Sequence, residues 1–227
     1  MDNILKDYHI NNEQLEKFKI YYEYLIQENE KINLTAITEE QEAYIKHFYD
    51  SLAMSKFIDL SNKTICDVGS GAGFLSIPLK ILDSSIKVTI IEPTLKRINF
   101  LKNLLEKLNI NDVVLINARA EDIINDYRDS FDICTARAVS NLPILLELTI
   151  PFIKINGLFL AYKGQAYNEE LLEAQSAIKV LEVKVKDTYK YELPQGFGAR
   201  ALILFTKTKK TNPKYPRLFK EIKKKPL

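Results

Sequence analysis

A strand, a glycine-rich turn and a helix follow one another between residues 65 and 82, and this segment limits the possible folds most strongly. The apolar run at residues 65–68 predicts a buried parallel strand, and residues 74–82 have helical spacing. Between them, Gly69, Gly71 and Gly73 let the backbone turn sharply and approach a ligand closely, because glycine has no side chain. The segment therefore predicts the first half of a nucleotide-binding βαβ unit.

The spacing of the glycines argues against a dinucleotide ligand. A dinucleotide fingerprint needs glycine at its first, third and sixth positions, and the sixth position here is Phe74. The next predicted strand, residues 87–92, ends at Glu92, which stands 23 residues after Gly69. A carboxylate at that point can accept hydrogen bonds from ribose hydroxyls. The combination favours S-adenosylmethionine as the ligand, and a glycine-rich turn in some other kind of α/β protein is the alternative.

Strands and helices alternate after Ser61, which predicts an α/β fold with a parallel sheet and helices on both faces. Five strand–helix repeats are followed by two strands, residues 182–190 and 200–206, with no helix between them. Such a pair must form a hairpin, so we expect one edge strand to run antiparallel. The predicted arrangement resembles the seven-stranded, mostly parallel sheet of class I methyltransferases.

Charge and composition divide the chain into three predicted parts. These are a helical N-terminal extension packed on the core (residues 1–60), a cofactor-binding core (61–207) and a basic, flexible tail (208–227). The net charge is only +2, but residues 1–42 carry ten acids and four bases (−6) and residues 207–225 carry nine bases and one acid (+8). We find no secretory signal and no apolar run of about 18 residues, so no membrane association is expected. Two cysteines, Cys66 and Cys134, are too few for a disulfide framework, which fits a cytoplasmic protein.

Several further segments are similar to those of one family. They are residues 33–38 (NLTAIT), 47–52 (HFYDSL), 67–74 (DVGSGAGF), 96–97 (KR), 119–121 (RAE), 135–138 (TARA), 156–158 (NGL), 162–164 (YKG) and 214–217 (KYPR). Their combination and order resemble the RsmG (GidB) family, the bacterial small-subunit ribosomal RNA methyltransferase G. Two features depart from the family pattern. Glu92-Pro93 stands where Asp-Ser is usual, and the segment after Arg217 lacks a Gly-Thr-Pro sequence.

The resemblance implies transfer of a methyl group from S-adenosylmethionine to N7 of a guanine in 16S ribosomal RNA. The substrate would be naked RNA, the small ribosomal subunit or an assembly intermediate. The implied cofactor contacts are Gly69, Phe74, Ala120, Glu121 and Arg137. The chemistry of the glycine turn and of the acid adds Gly71, Gly73 and Glu92 to this set.

Some of these side chains also have a purely structural interpretation. Glu121 can be an acid favoured at a helix N-terminus by the helix dipole, and Arg137 can simply end a strand. His47 stands among apolar residues, which indicates a half-buried, hydrogen-bonded histidine; packing over the cofactor site is the alternative.

Basic residues outside the glycine turn are candidates for RNA contacts. Lys163 ends the fifth predicted strand on the ligand side, and the other candidates are Arg97, Arg200, Lys214 and Arg217. Lysines in the tail could neutralise phosphates while Tyr215 stacks on a base. A solvated surface charge is the alternative for each of these basic residues.

Methylation of guanine N7 needs alignment of the reacting atoms rather than proton removal, because N7 has an in-plane lone pair and no proton. We therefore expect no obligate catalytic side chain and no metal. Two other functions stay open: a class I methyltransferase acting on a small molecule or a protein, and a non-catalytic regulator that binds S-adenosylmethionine. Nothing in the sequence demands a partner chain, so a monomer is expected.

Overall fold

The computed structural model describes residues 4–137 and 140–227. Residues 1–3 of the predicted N-terminal extension and Ala138 of the 135–138 match lie outside the described residues. The described part of the chain forms one seven-stranded sheet in the order β3-β2-β1-β4-β5-β7-β6. The strands are β1 (Thr64–Val68), β2 (Lys87–Ile91), β3 (Val113–Ile116), β4 (Phe131–Ala136), β5 (Ile153–Lys163), β6 (Val183–Glu192) and β7 (Ala199–Lys207). The prediction of a seven-stranded, mostly parallel sheet is confirmed.

Helices cover both faces of this sheet. They are α1 (Asn12–Ile32), α2 (Glu40–Ala43), α3 (Asp50–Leu52), α4 (Ser76–Leu82), α5 (Leu95–Lys107), α6 (Ala120–Tyr127), α7 (Leu142–Thr149), α8 (Tyr167–Glu173), α9 (Gln175–Val180) and α10 (Phe219–Lys224). A π-helical segment, Tyr44–Tyr49, joins α2 to α3. One apolar core lies under α1, α4 and α5, and a second lies under α6, α7, α9 and α10. None of the helices in the described ranges is long and apolar enough to cross a membrane.

The antiparallel strand is not at the edge of the sheet, so that detail of the prediction is wrong. β7 pairs antiparallel with both β5 and β6, which leaves β6 at the edge and parallel to the first five strands. The sequences explain this order. Residues 201–205 of β7 (ALILF) are all buried, as in a central strand, whereas β6 carries several exposed charged side chains, as edge strands do.

The N-terminal helices pack directly on the core. The hydroxyl of Tyr21 in α1 donates to the carbonyl of Ala72 in the glycine turn at 2.6 Å. The amide of Gln14 donates to the carbonyl of Leu82 at the end of α4. These contacts fix α1 against the turn that follows β1, so the N-terminal segment helps to shape that end of the sheet.

The C-terminal segment is folded against the core, in contrast to the flexible tail predicted from its composition. Tyr215 and Ile222 are buried in the second apolar core. The guanidinium of Arg217 donates to both carboxylate oxygens of the fully buried Glu147 at 2.8 and 2.6 Å. The carbonyl of Tyr215 also accepts a hydrogen bond from Arg128 at 2.9 Å. Two apolar anchors and one buried ion pair thus hold a segment whose lysines mostly face solvent.

Candidate functional site

The three glycines after β1 have left-handed backbone conformations. Their φ angles are +69° at Gly69, +63° at Gly71 and +83° at Gly73. A Cβ atom at Gly73 would lie 2.7 Å from the side chains of Ile77 and Leu101, so this glycine permits close packing of the turn against helices. A Cβ atom at Gly71 would meet no atom within 4 Å. Gly71 therefore presents bare backbone to open space, as close approach of a ligand requires.

Glu92 follows β2 and is buried beside the glycine turn. Its Oε2 atom accepts a hydrogen bond from the backbone N–H of Gly71 at 2.9 Å, and its Oε1 atom accepts one from Thr94 at 2.9 Å. The Arg97 guanidinium lies 3.6 Å from Oε1. A carboxylate offers about four acceptor positions, so about two remain after the two backbone bonds. Glu92 thus ties the end of β2 to the glycine turn.

A cavity of about 580 Å³ opens at the carboxyl ends of β1, β4 and β5. This is the edge of an open α/β sheet where ligands bind. The cavity brings together seven of the predicted site residues: Gly69, Gly71, Phe74, Arg97, Arg137, Lys163 and Arg200. The N-terminal segment supplies part of its wall through Leu34, Ile37 and His47.

His47 forms part of the cavity wall in a neutral state. Its ring stacks on Phe74 with 3.8 Å between ring centroids, and its Nε2 atom lies 2.9 Å from the Thr35 hydroxyl. Burial, together with the positive charge of Arg137, lowers the pKa of His47 to about 3. The imidazole is thus buried and hydrogen-bonded, and it also packs over the glycine-turn side of the cavity, so the two interpretations of His47 apply together.

Arg137 lines the cavity, but its guanidinium is held by the N-terminal helices. Its Nη1 atom donates to the carbonyl of Lys46 at 3.2 Å and to the hydroxyl of Ser51 at 3.1 Å. The same nitrogen lies 3.5 Å from the carboxylate of Asp50. The predicted cofactor contact is thus also the link between the strand ends and α3.

Two buried carboxylates of this site were missed by the sequence interpretation. Asp67 is the last residue but one of β1 and accepts hydrogen bonds from the hydroxyls of Ser70 and Ser76, at 2.6 and 2.7 Å. Burial raises the pKa of Asp67, although both hydroxyls oppose that shift. Asp50 accepts a 2.6 Å hydrogen bond from Tyr191 and lies 3.8 Å from Arg200. Asp67 could have been found from its place inside the glycine motif, whereas the partners of Asp50 are distant in the sequence.

Six predicted residues are not part of the cavity wall: Gly73 and Glu92, which lie at the glycine turn, and Ala120, Glu121, Lys214 and Arg217. Ala120 and Glu121 begin α6, after β3, and Ala120 is buried in the second core. Lys214 is exposed in the C-terminal segment, and the guanidinium of Arg217 is occupied by Glu147. Ala120 and Glu121 stay predictions as cofactor contacts. Arg217 would have to break a buried ion pair to reach a phosphate.

Within the cavity wall, Lys163 is paired with an acid. Its ammonium lies 2.6 Å from the carboxylate of Glu170 in α8. In the part of the chain that the structure describes, no group of three or more histidine, cysteine, aspartate or glutamate side chains could hold a metal ion.

The sheet order, the glycine turn after β1 and the acid after β2 define a protein of the class I methyltransferase fold. Solved structures of that fold are similar to it. M. jannaschii TYW2, solved in complex with AdoMet, superposes with a TM-score of 0.58 at 18% identity over 75% of this chain and 77% of that one. A SAM-dependent methyltransferase from Aquifex aeolicus superposes with a TM-score of 0.54 at 16% identity, over 72% of this chain and 93% of that one.

The chain belongs to the GidB family, described as rRNA small subunit methyltransferase G, whose family model matches residues 14–196. A ribosomal RNA small subunit methyltransferase G from Staphylococcus saprophyticus is 50% identical over 92% of this chain and 88% of the relative. The corresponding protein from Lactobacillus acidophilus is 45% identical over 97% of this chain and 94% of the relative. The resemblance inferred from the motifs is confirmed.

Proposed function

We propose that this chain transfers a methyl group from S-adenosylmethionine to N7 of a guanine in small-subunit ribosomal RNA. Membership of the GidB family supports methyl transfer to that RNA. The similarity of the fold to that of TYW2, which was solved with AdoMet, supports the cofactor. An rRNA substrate would place the protein in the cytoplasm.

The cavity fits S-adenosylmethionine in size and in the groups it offers. Its volume of about 580 Å³ lies within the range of small-ligand sites, about 300–1,000 Å³. Gly71 leaves open space beside the backbone, and Glu92, just behind this wall and hydrogen-bonded to the Gly71 N–H, keeps about two acceptor positions for ribose hydroxyls. Phe74 adds an apolar surface in the same wall. When bound, the cofactor supplies a methyl group activated by the positive charge of its sulfonium.

The acidic and imidazole side chains that line the cavity support a reaction without proton removal. Among the described lining residues, Asp67 accepts from two serine hydroxyls, Asp50 from Tyr191, and Glu170 pairs with Lys163. His47 faces Arg137 and Thr35 across its two ring nitrogens. Every such group is already engaged in holding the fold. This arrangement is sufficient for methylation at N7, because N7 of guanine has no proton to remove and needs only positioning.

Nucleoside mass spectrometry of 16S rRNA tests this proposal. RNA from cells that lack the protein should lose one 7-methylguanine, and purified protein with S-adenosylmethionine should restore it. The Gly71→Val variant, purified in parallel, is the inactive control. Full modification in RNA from the deletion strain would refute the assignment, and a new methyl group on another nucleoside would refute N7.

Two measurements separate the remaining functions. A methyltransferase for a small molecule or a protein would bind S-adenosylmethionine in a calorimeter but leave 16S rRNA unmethylated. A non-catalytic regulator would bind the cofactor and transfer its methyl group to none of these substrates.

A further inference from the structure

A second cavity of about 400 Å³ adjoins the first at the carboxyl ends of β5 and β6. The two cavities share Gly164 and Arg200 in their walls. A Cβ atom at Gly164 would meet no atom within 4 Å, so the backbone leaves the junction between them open. The two cavities thus lie side by side at the sheet edge, between the glycine turn and β6, and are together called the groove.

The second cavity combines an aromatic ring with basic side chains. Tyr167, at the start of α8, is half-buried, and the ammonium of Lys190 lies 5.5 Å from the centroid of its ring. Arg200 adds a second positive charge, and Glu192 is the acid in the same wall. An aromatic ring beside basic side chains is what proteins use to hold single-stranded nucleic acid, because bases stack on the ring while cations neutralise phosphates.

Arg200 is held in place at the junction rather than free in solvent. Its Nε atom lies 3.8 Å from the buried carboxylate of Asp50, which also accepts a hydrogen bond from the hydroxyl of Tyr191. A guanidinium fixed in this way is ready to meet a phosphate with little loss of side-chain entropy. The position suits the phosphate that joins a base in the first cavity to its neighbour.

We infer that the second cavity binds the single-stranded rRNA nucleotide next to the target guanine, with Tyr167 stacked on its base and Lys190 and Arg200 against its phosphates. This inference rests on the proposed function, since the target base must occupy the first cavity. The wall shared at Gly164 and Arg200 favours a strand over a separate molecule, because the nucleotide next to a base in the first cavity can then lie in the second.

Binding of unmethylated 16S rRNA by variants of this cavity tests the inference. Tyr167→Ala should weaken RNA binding about tenfold, in line with the loss of one base stack, whereas Tyr167→Phe should keep the wild-type affinity. Lys190→Ala should reduce the slope of log affinity against log salt concentration by about 0.7, the value for one phosphate contact on a single strand. Lys184→Ala is the matched control, since Lys184 is exposed near the start of β6, whereas Lys190 lies near the end of the same strand. All four variants should bind S-adenosylmethionine as the wild type does.

The outcomes separate this inference from the proposed function. If wild-type protein methylates 16S rRNA while Tyr167→Ala and Lys190→Ala both bind RNA like the wild type, the groove assignment is wrong and the proposed function stands. If Lys184→Ala changes the salt slope as much as Lys190→Ala, the effect is general surface charge, which also overturns the assignment. If wild-type protein leaves unmodified 16S rRNA unmethylated, the proposed function fails and the groove assignment fails with it.

Discussion

Removing the guanidinium of Arg217 should destabilise the whole core, although this residue lies in the most basic segment of the chain. The Arg217 side chain donates two hydrogen bonds to Glu147, and its backbone N–H donates a third at 3.0 Å. Glu147 is fully buried. Arg217→Ala therefore leaves Glu147 in α7 as a buried carboxylate with one backbone hydrogen bond and without its cationic partner, a change that typically costs about 3–5 kcal/mol. For a domain of this size, that cost corresponds to a fall in melting temperature of roughly 10 °C.

Urea unfolding and thermal melts of four proteins test this reasoning. Lys220→Ala removes the same charge from an exposed position three residues away and should change stability by less than about 0.5 kcal/mol. Arg217→Ala combined with Glu147→Leu should recover most of the loss, because an apolar residue replaces the buried charge. Wild-type stability in Arg217→Ala, together with rapid proteolysis after residue 208 in the wild type, would show that the C-terminal segment is not packed as described.

The remaining predictions concern the cavity. Gly71→Val should abolish binding of S-adenosylmethionine by calorimetry, because it strains a left-handed residue and fills the cavity, whereas Gly196→Val, equally left-handed but outside the cavity, should leave binding unchanged. Glu92→Ala should weaken that binding by about 1–3 kcal/mol, because the ribose hydroxyls and the N–H groups of Gly71 and Thr94 all lose the carboxylate as their acceptor. Unchanged affinity would place the ribose elsewhere. The wild type should lose about 2 kcal/mol of unfolding free energy between pH 7 and pH 5, because His47 is neutral when folded (pKa about 3) and takes up a proton on unfolding below about pH 6.5. His47→Gln should lose that part of the pH dependence in urea titrations, and an unaltered slope would contradict the low pKa.

Local signals in the sequence were sufficient to predict the fold and to place several candidate residues at one cavity. Three signals were local: the glycine turn, the acid at Glu92 and the alternation of strands with helices. Each involves residues close together in the chain, so it can be interpreted without knowing which distant residues are in contact. The structure brings Gly69, Gly71 and Phe74 to one wall for the same reason, since all three belong to a single turn.

Features that depend on distant partners were missed or misjudged. The C-terminal segment has the composition of a mobile tail, but Arg217 finds a buried carboxylate 70 positions earlier in the chain. Asp50 joins Arg137 to Arg200 and Tyr191, and no local pattern connects these residues. The order of β6 and β7 was also open to either arrangement, because a hairpin alone does not say which of its strands pairs with β5.

The position of β7 has a consequence for how the protein is made. β7 lies between β5 and β6 although it is translated after both. While the nascent chain emerges from the ribosome, the outer edge of β5 stays without a neighbour until residues 199–207 have left the exit tunnel. That open edge has apolar side chains and unpaired backbone N–H and C=O groups, so another nascent chain could pair with it wrongly. A pause that holds residues 199–207 inside the tunnel after β5 has emerged should therefore lower the yield of soluble protein, whereas an equal pause before β5 is synthesised should not.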